Sequence, residues 1–307
     1  MTTLAEKQST QSGRESYASP SPTLAPSLRH STEVQLHAQY KGTKQTIIVD
    51  WEPNDTENPM NWSVGYRRTL GVLIGLSAFC VAFSSSAYAA AIPGIMREFK
   101  PTLDVALLGL SLFVLGFGLG PLIWGPLSEL YGRRTIFIIS FFPYTLFHLG
   151  AGLSQNITTL LLMRLLGGCF GSSVFSVPGG SLADLFTKEE RGPLALLVLA
   201  VSPLLGPVCG PLVGGFIAQS NITWRWNFWV MLIFSSVIFA LYAAIVPETC
   251  HSVLLRKRAE KLQRGSTEDG VSYVSKHDTA DCKSVLQTLG STLTRPLGQH
   301  PYQEYFE

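Results

Sequence analysis

The segment Gly125-Pro126-Leu127-Ser128-Glu129-Leu130-Tyr131-Gly132-Arg133-Arg134 sets one acid and two arginines between glycines, with a long apolar run on either side. The chemistry open to it is the making and breaking of ion pairs, not bond cleavage. Glu129 and Arg133 are four apart, a spacing that lets two side chains meet on a helix. Asp184, near the end of a later apolar run, falls at the same membrane level and offers a second acceptor. A surface pair contributes only about 0–1 kcal/mol, so a functional role must come from forming and releasing it as helices move. Three independently solvated interface charges are the plain alternative.

Arg164 is the second residue of interest, about 9 Å inside an apolar run at the helical rise. An arginine at the centre of a span costs about 2.5–3.5 kcal/mol on insertion scales. Snorkelling to the outer interface would relieve that cost, and a contact on a substrate or proton path would explain it. Both readings stay open. No metal cluster, nucleophile triad or phosphate loop is visible, so the residues offer an enzyme no foothold, and no cofactor or metal is expected.

The elements that position these residues are membrane helices. The chain has 307 residues, 46% hydrophobic and only 14% charged, with mean hydropathy +0.24. Six runs are long enough to cross a bilayer about 30 Å thick: Thr69 to Met96, Val105 to Pro126, Thr135 to Leu153, Thr158 to Phe186, Pro193 to Ala218 and Phe228 to Val246. Lipid offers exposed backbone no partner and the alternation of a barrel strand is missing, so the expected fold is all-α and polytopic.

The net charge of +2 gives no reason to expect a nucleic-acid partner. Its distribution is more informative. With a cytosolic N-terminus, the inner side collects Arg67, Arg68, Arg133, Arg134, Lys188, Arg191, Arg256, Lys257, Arg258, Lys261 and Arg264, against Arg97, Lys100 and Arg225 outside. The positive-inside rule therefore places both termini in the cytosol. Of the five cysteines, Cys80, Cys169 and Cys209 fall in spans, and neither a disulfide framework nor metal spacing is present.

Residues 1–48, rich in Ser, Thr, Gln and Pro, read as a disordered cytosolic arm, and 49–68 as an interfacial segment in which Trp62 is an anchor. The membrane bundle is expected over 69–247. A basic segment and polar tail follow over 248–307. Asn156 and Asn221 open glycosylation triplets in the outer loops, though chance occurrence is the favoured reading. The aromatic run Trp224 to Trp229 reads as an interfacial anchor rather than a ligand cage.

Glycines four apart mark three spans: Gly116 and Gly120, then Gly167 and Gly171, then Gly206, Gly210 and Gly214. Such spacing lets helix backbones approach closely where lipid supplies no hydrophobic drive. In the fifth span it is combined with Pro207 and Pro211 and followed by Gly215, which points to a bent helix with one face stripped of side chains, a sliding or rocking surface.

Together these motifs resemble the major facilitator superfamily, and within it the twelve-span fungal drug:proton antiporters. Gly125, Glu129, Gly132, Arg133 and Arg134 are similar to the loop motif between spans two and three. Arg164, Gly168 and Gly171 resemble the fourth-span motif. Gly206, Gly210, Pro211, Gly214 and Gly215 resemble the fifth-span antiporter motif. Asn58-Pro59, Asn61-Trp62-Ser63, Trp224 to Trp229 and Pro247-Glu248-Thr249 look like fungal members in particular.

The resemblance implies a six-helix N-terminal bundle of two inverted three-helix repeats, in which Glu129, Arg133 and Asp184 form an inner latch holding the outward-open state. It implies a substrate site between two halves, in a cavity lined by the first and fourth spans, with Ser84, Ser85, Tyr88, Arg164 and Phe170 as candidate substrate or proton contacts. Two departures stand out. Only six spans are present, so the chain reads as a truncated half. No Asp or Glu lies mid-span, so proton coupling rests on resemblance alone.

The expected function is export of small organic compounds, drugs or secondary metabolites, across the plasma membrane. The partners are the lipid bilayer, an organic substrate, protons, and a second six-span half or a second copy. The alternative is a non-transporting half-length protein that dimerises with or interferes with full-length relatives.

Overall fold

The computed structural model describes residues 38–41, 44–220, 222–265 and 271–276. Its helices are α1 (Val64–Phe99), α2 (Leu103–Tyr131), α3 (Arg133–Gly152), α4 (Ile157–Gly171), α5 (Ser173–Leu185), α6 (Lys188–Leu196), α7 (Ser202–Gln219), α8 (Trp226–Ile245) and α9 (His251–Gly265). Among the described residues, six helical segments are long and apolar enough to cross a membrane, with α4 and α5 forming the fourth and α6 and α7 the fifth. The six expected spans are all present.

Breaks in these spans follow the sequence. The fourth turns at Ser172, just after Gly171, and Pro178 removes a further amide from α5. In the fifth, α6 and α7 are joined by a π-helical stretch, Leu197–Val201, where Ser202 reaches back to the Leu197 carbonyl. Widening the turn there accommodates Pro203, whose ring would otherwise crowd the preceding turn. Gly132, with φ +100°, ends α2 and starts α3, a conformation open to glycine at little cost.

The main core joins α1, α3, α5 and α8 through Leu70, Ile74, Phe137, Phe141, Tyr144, Leu182 and Tyr242. A second cluster, including Tyr88, Ile95, Leu160, Trp224 and Phe228, closes the opposite end of the bundle. The span built on α1 is 72% buried, against 28% for α2 and for α8 and 22% for the fifth span.

The glycine pattern decides the helix pairings. A Cβ on Gly206 would come 2.6 Å from the Phe83 amide nitrogen and one on Gly210 would come 2.8 Å from the Ala87 nitrogen, so α7 lies directly on α1. A Cβ on Gly116 would come 2.7 Å from the Cys169 nitrogen, which seats α2 on α4. The close approach from α4 is made by Gly168 against the Phe113 backbone, while Gly167 keeps ordinary contacts and Gly171 faces Tyr144. Gly215 has open space around it.

Outside the bundle, the described residues of the segment read as an arm form strands. Strand β1 (Ala38–Lys41) pairs antiparallel with β2 (Lys44–Val49), and β2 pairs parallel with β3 (Val271–Ser275). Helix α9 packs on this sheet through Leu255, Ala259 and Leu262 against Val49, Trp51 and Tyr273. Residues 1–37, 42 and 43 of the expected arm, residues 266–270 and 277–307 of the tail, and Asn221 lie outside the described residues.

Candidate functional site: three ion-pair clusters and a buried arginine

Helix α3 begins with two arginines and has no N-cap side chain of its own, so its first turn carries charge of the wrong sign beside orphan amides. Glu248 corrects both faults from 115 residues away. Its Oε1 accepts from the Arg133 amide at 2.8 Å and from the Thr249 and Cys250 amides at 3.0 Å, while Oε2 accepts from the Arg134 amide at 3.2 Å.

With its backbone pinned in this way, Arg133 turns inward. Its Nε meets Asp184 Oδ2 at 3.4 Å, and its Nη1 donates to Ser128 Oγ at 2.7 Å. The guanidinium lies against Gly180, where a Cβ would collide with it. Arg134 instead donates from Nη2 to the Ala243 carbonyl at 2.8 Å, tying α3 to the end of α8.

The expected Glu129–Arg133 pair does not form. Glu129 is exposed and its carboxylate has no hydrogen bond or ion pair among the described residues. The reason is Gly132: it separates the two residues onto different helices, so the four-residue spacing no longer puts them on one face. Only the Glu129 backbone carbonyl takes part, accepting from Ser252 Oγ at 3.4 Å. Gly125 has no neighbour within 4 Å of a Cβ position.

The same end of the bundle carries a second cluster. Arg67, 6% exposed, donates from Nη1 to the Leu185 carbonyl at 3.0 Å and to Glu190 Oε2 at 2.9 Å, joining α1 to the α5–α6 turn. At the opposite end Arg225 pairs with Glu98 at 2.7 Å and donates to the Ser154 carbonyl at 2.8 Å. Trp224 also donates to Glu98, at 2.7 Å, and is buried. The expected anchor run therefore divides, since Trp226 is 45% exposed while Trp224 is bonded within the bundle.

Arg164 does not snorkel. It is 2% exposed and uses each nitrogen once, Nε on the Gly109 carbonyl, Nη1 on Ser84 O and Nη2 on Ser85 O, all at 3.1 Å. The Phe113 and Tyr88 rings lie 4.2 Å and 4.6 Å from the guanidinium carbon. One side chain on α4 thus fastens α1 and α2.

Of the candidate path residues, Ser84 is buried with its hydroxyl 2.8 Å from Tyr144 Oη, and Tyr88 is buried and donates to the Ala106 carbonyl at 2.9 Å. Ser85 and Phe170 are half-buried. Phe170 packs on Trp124 and Phe147 at 5.4 Å. Asn156 caps α4, accepting from the Thr159 amide at 2.7 Å. Among the described residues, no group of His, Cys, Asp and Glu is placed to hold a metal ion.

The profile of the Major Facilitator Superfamily matches residues 74–296. The chain belongs to this superfamily. The efflux pump MFS2 of Trichophyton rubrum is 42% identical over 250 residues, which are 81% of this chain and 41% of the pump. The multidrug transporter mdrA of Aspergillus fumigatus is 41% identical, over 86% of this chain and 44% of its own. The facilitator chain described here thus spans less than half the length of these curated relatives.

The facilitator fold is also seen in solved structures. The inward-open xylose transporter XylE from E. coli aligns with a TM-score of 0.52 at 17% identity, covering 78% of this chain and 57% of XylE. The human organic anion transporter MFSD10 aligns at 0.50 with 19% identity, covering 60% and 48%. The chain is an integral membrane protein of a transporter family, not an enzyme.

Glu248 was missed as part of the site. Its signal was present in Pro247-Glu248-Thr249, an acid immediately after an apolar span. Nothing local joined it to Arg133.

Proposed function

We propose that this six-span unit is one half of an exporter of small organic compounds, of the drug or secondary-metabolite kind, in the plasma membrane with both termini cytosolic. The observation that carries this reading is the uneven burial of the bundle. Its first span is largely enclosed, whereas α2 and α7 leave Leu115, Leu119, Leu204, Val208 and Leu212 about half or more exposed. A second half packed on those two helices would cover them, and relatives named as an efflux pump and as a multidrug transporter are more than twice as long as the matched region.

In this reading Arg133 and Asp184, with Glu248 holding the start of α3, form the inner latch that is made in the outward-facing state and released in the inward-facing one. Ser85 and Phe170 keep surface for a substrate, with Arg164 as the pillar behind them. Proton coupling is carried only by the resemblance of the fifth-span motif to that of antiporters. The rival reading, a half that dimerises through bare glycine faces, loses its motive because Gly116, Gly120, Gly206, Gly210 and Gly214 all face helices of this bundle.

The test joins this chain to the second half of an efflux relative and follows dye export in cells lacking their own pumps. Export is expected, and Asp184→Asn should slow it about tenfold, the worth of one charge-assisted bond. A joined protein that inserts at normal abundance and exports no efflux substrate would sink the reading.

A further inference from the structure

His251 stands at the first turn of α9, beyond the last span, and both its ring nitrogens are engaged. Trp51 Nε1 lies 2.8 Å from Nδ1 and the Asp184 carbonyl oxygen 2.9 Å from Nε2. An indole N–H only donates, so Nδ1 must accept, the ring proton must sit on Nε2, and the imidazole must donate to Asp184. Hydrogen bonds therefore run in one direction, from residue 51 through residue 251 to the backbone of residue 184.

Each station of this relay is held by other contacts. The Trp51 and His251 rings meet edge to face at 5.8 Å. Arg258, one helical turn pair further along α9, lies over the Trp51 ring and forms an ion pair with Asp55. Strand β2, which leads into Trp51, is paired with β3 beyond α9, so both sides of the relay are tied by the sheet. At the far end, Asp184 is the acid that Arg133 meets.

We infer that His251 is a positioning residue for the inner latch, and that Trp51 orients it, so that the segment preceding the first span helps to set the place of Asp184 opposite Arg133. This inference rests on the latch proposed above. The relay itself is a matter of contact geometry and can be tested without transport.

Cys250 supplies the reporter. It is 4% exposed, with Sγ 3.2 Å from Ser252 Oγ and 3.9 Å from the Glu129 carbonyl, in the space between α9 and the end of α2. Cys80, fully buried in the middle of α1, supplies the internal control. The experiment exposes the whole chain in membranes to a permeant maleimide and reads each cysteine separately by peptide mass spectrometry.

Trp51→Phe should raise the labelling rate of Cys250 about fivefold, the factor that one buried hydrogen bond is worth, with Cys80 unchanged. Trp62→Phe, which removes a bond to the Thr56 carbonyl within the same segment, should leave Cys250 as it is. His251→Gln, which can still donate toward Asp184, should make a further Trp51→Phe change nearly silent, as coupled sites do. The inference is overturned if Cys250 does not respond to Trp51→Phe, if Cys80 rises in step with it, or if the two substitutions add. A failed export assay leaves these rates readable, so the relay and the transport reading fail separately.

Discussion

A buried guanidinium is costly unless every donor finds an acceptor, and Arg164 shows how that condition turns a charge into a fastener. Its fork reaches two carbonyls on α1 and one on α2, a geometry that a single ammonium cannot copy. Arg164→Lys should therefore cost about 3 kcal/mol, seen as a lower melting temperature of the purified protein even where the positive charge is retained. An unchanged melting temperature would refute the fastener role. At this scale the sequence disclosed which residues were unusual more readily than whom they touch. Arg133 and Arg164 stood out by type and depth, but Glu248 and His251 reach their partners across 115 and 67 residues, and no local periodicity records such pairings. The Glu129–Arg133 spacing misled because one left-handed glycine separates two helices.

Among the elements, the fifth span was the most legible, since its glycines gave both the face and the closeness of packing. What the spacing alone did not say is that the stripe is seated on α1 within the same bundle. Gly206→Ala should lower the folded yield or melting temperature, because the new Cβ would meet backbone and not a flexible side-chain tip. Gly215→Ala, nine residues on in the same motif, should be neutral or stabilising by up to about 1 kcal/mol, because the site is open and alanine is the better helix former. Equal damage from both would contradict the pairing of α7 with α1. Strands β1 and β2 form a hairpin across two residues, and the β-branched run Thr46 to Val49 was a local signal that went unread, whereas β3 reaches β2 only from beyond six spans, a pairing that no local alternation records.

For the whole molecule, six spans and their order followed directly from hydropathy, because a bilayer demands length and apolarity and little else. The distribution of burial among them did not, since lipid and protein neighbours ask for similar side chains. Leu204, 70% exposed on α7, separates the two surroundings. A cysteine placed there should label readily in this chain alone and become protected once a second half is joined, and equal labelling in both would show that this face looks to lipid. The enclosure of α1 also bears on biosynthesis. Helix α1 leaves the ribosome before the other spans of this bundle that pack on it, and α7, which lies along it, is translated on the order of a hundred residues afterwards. At about 5–20 residues per second, α1 waits roughly 5–20 s beside the insertion machinery with Ser86, whose hydroxyl donates to the Gly206 carbonyl of α7, uncovered, so the quality of this protein depends on how well that interval is sheltered.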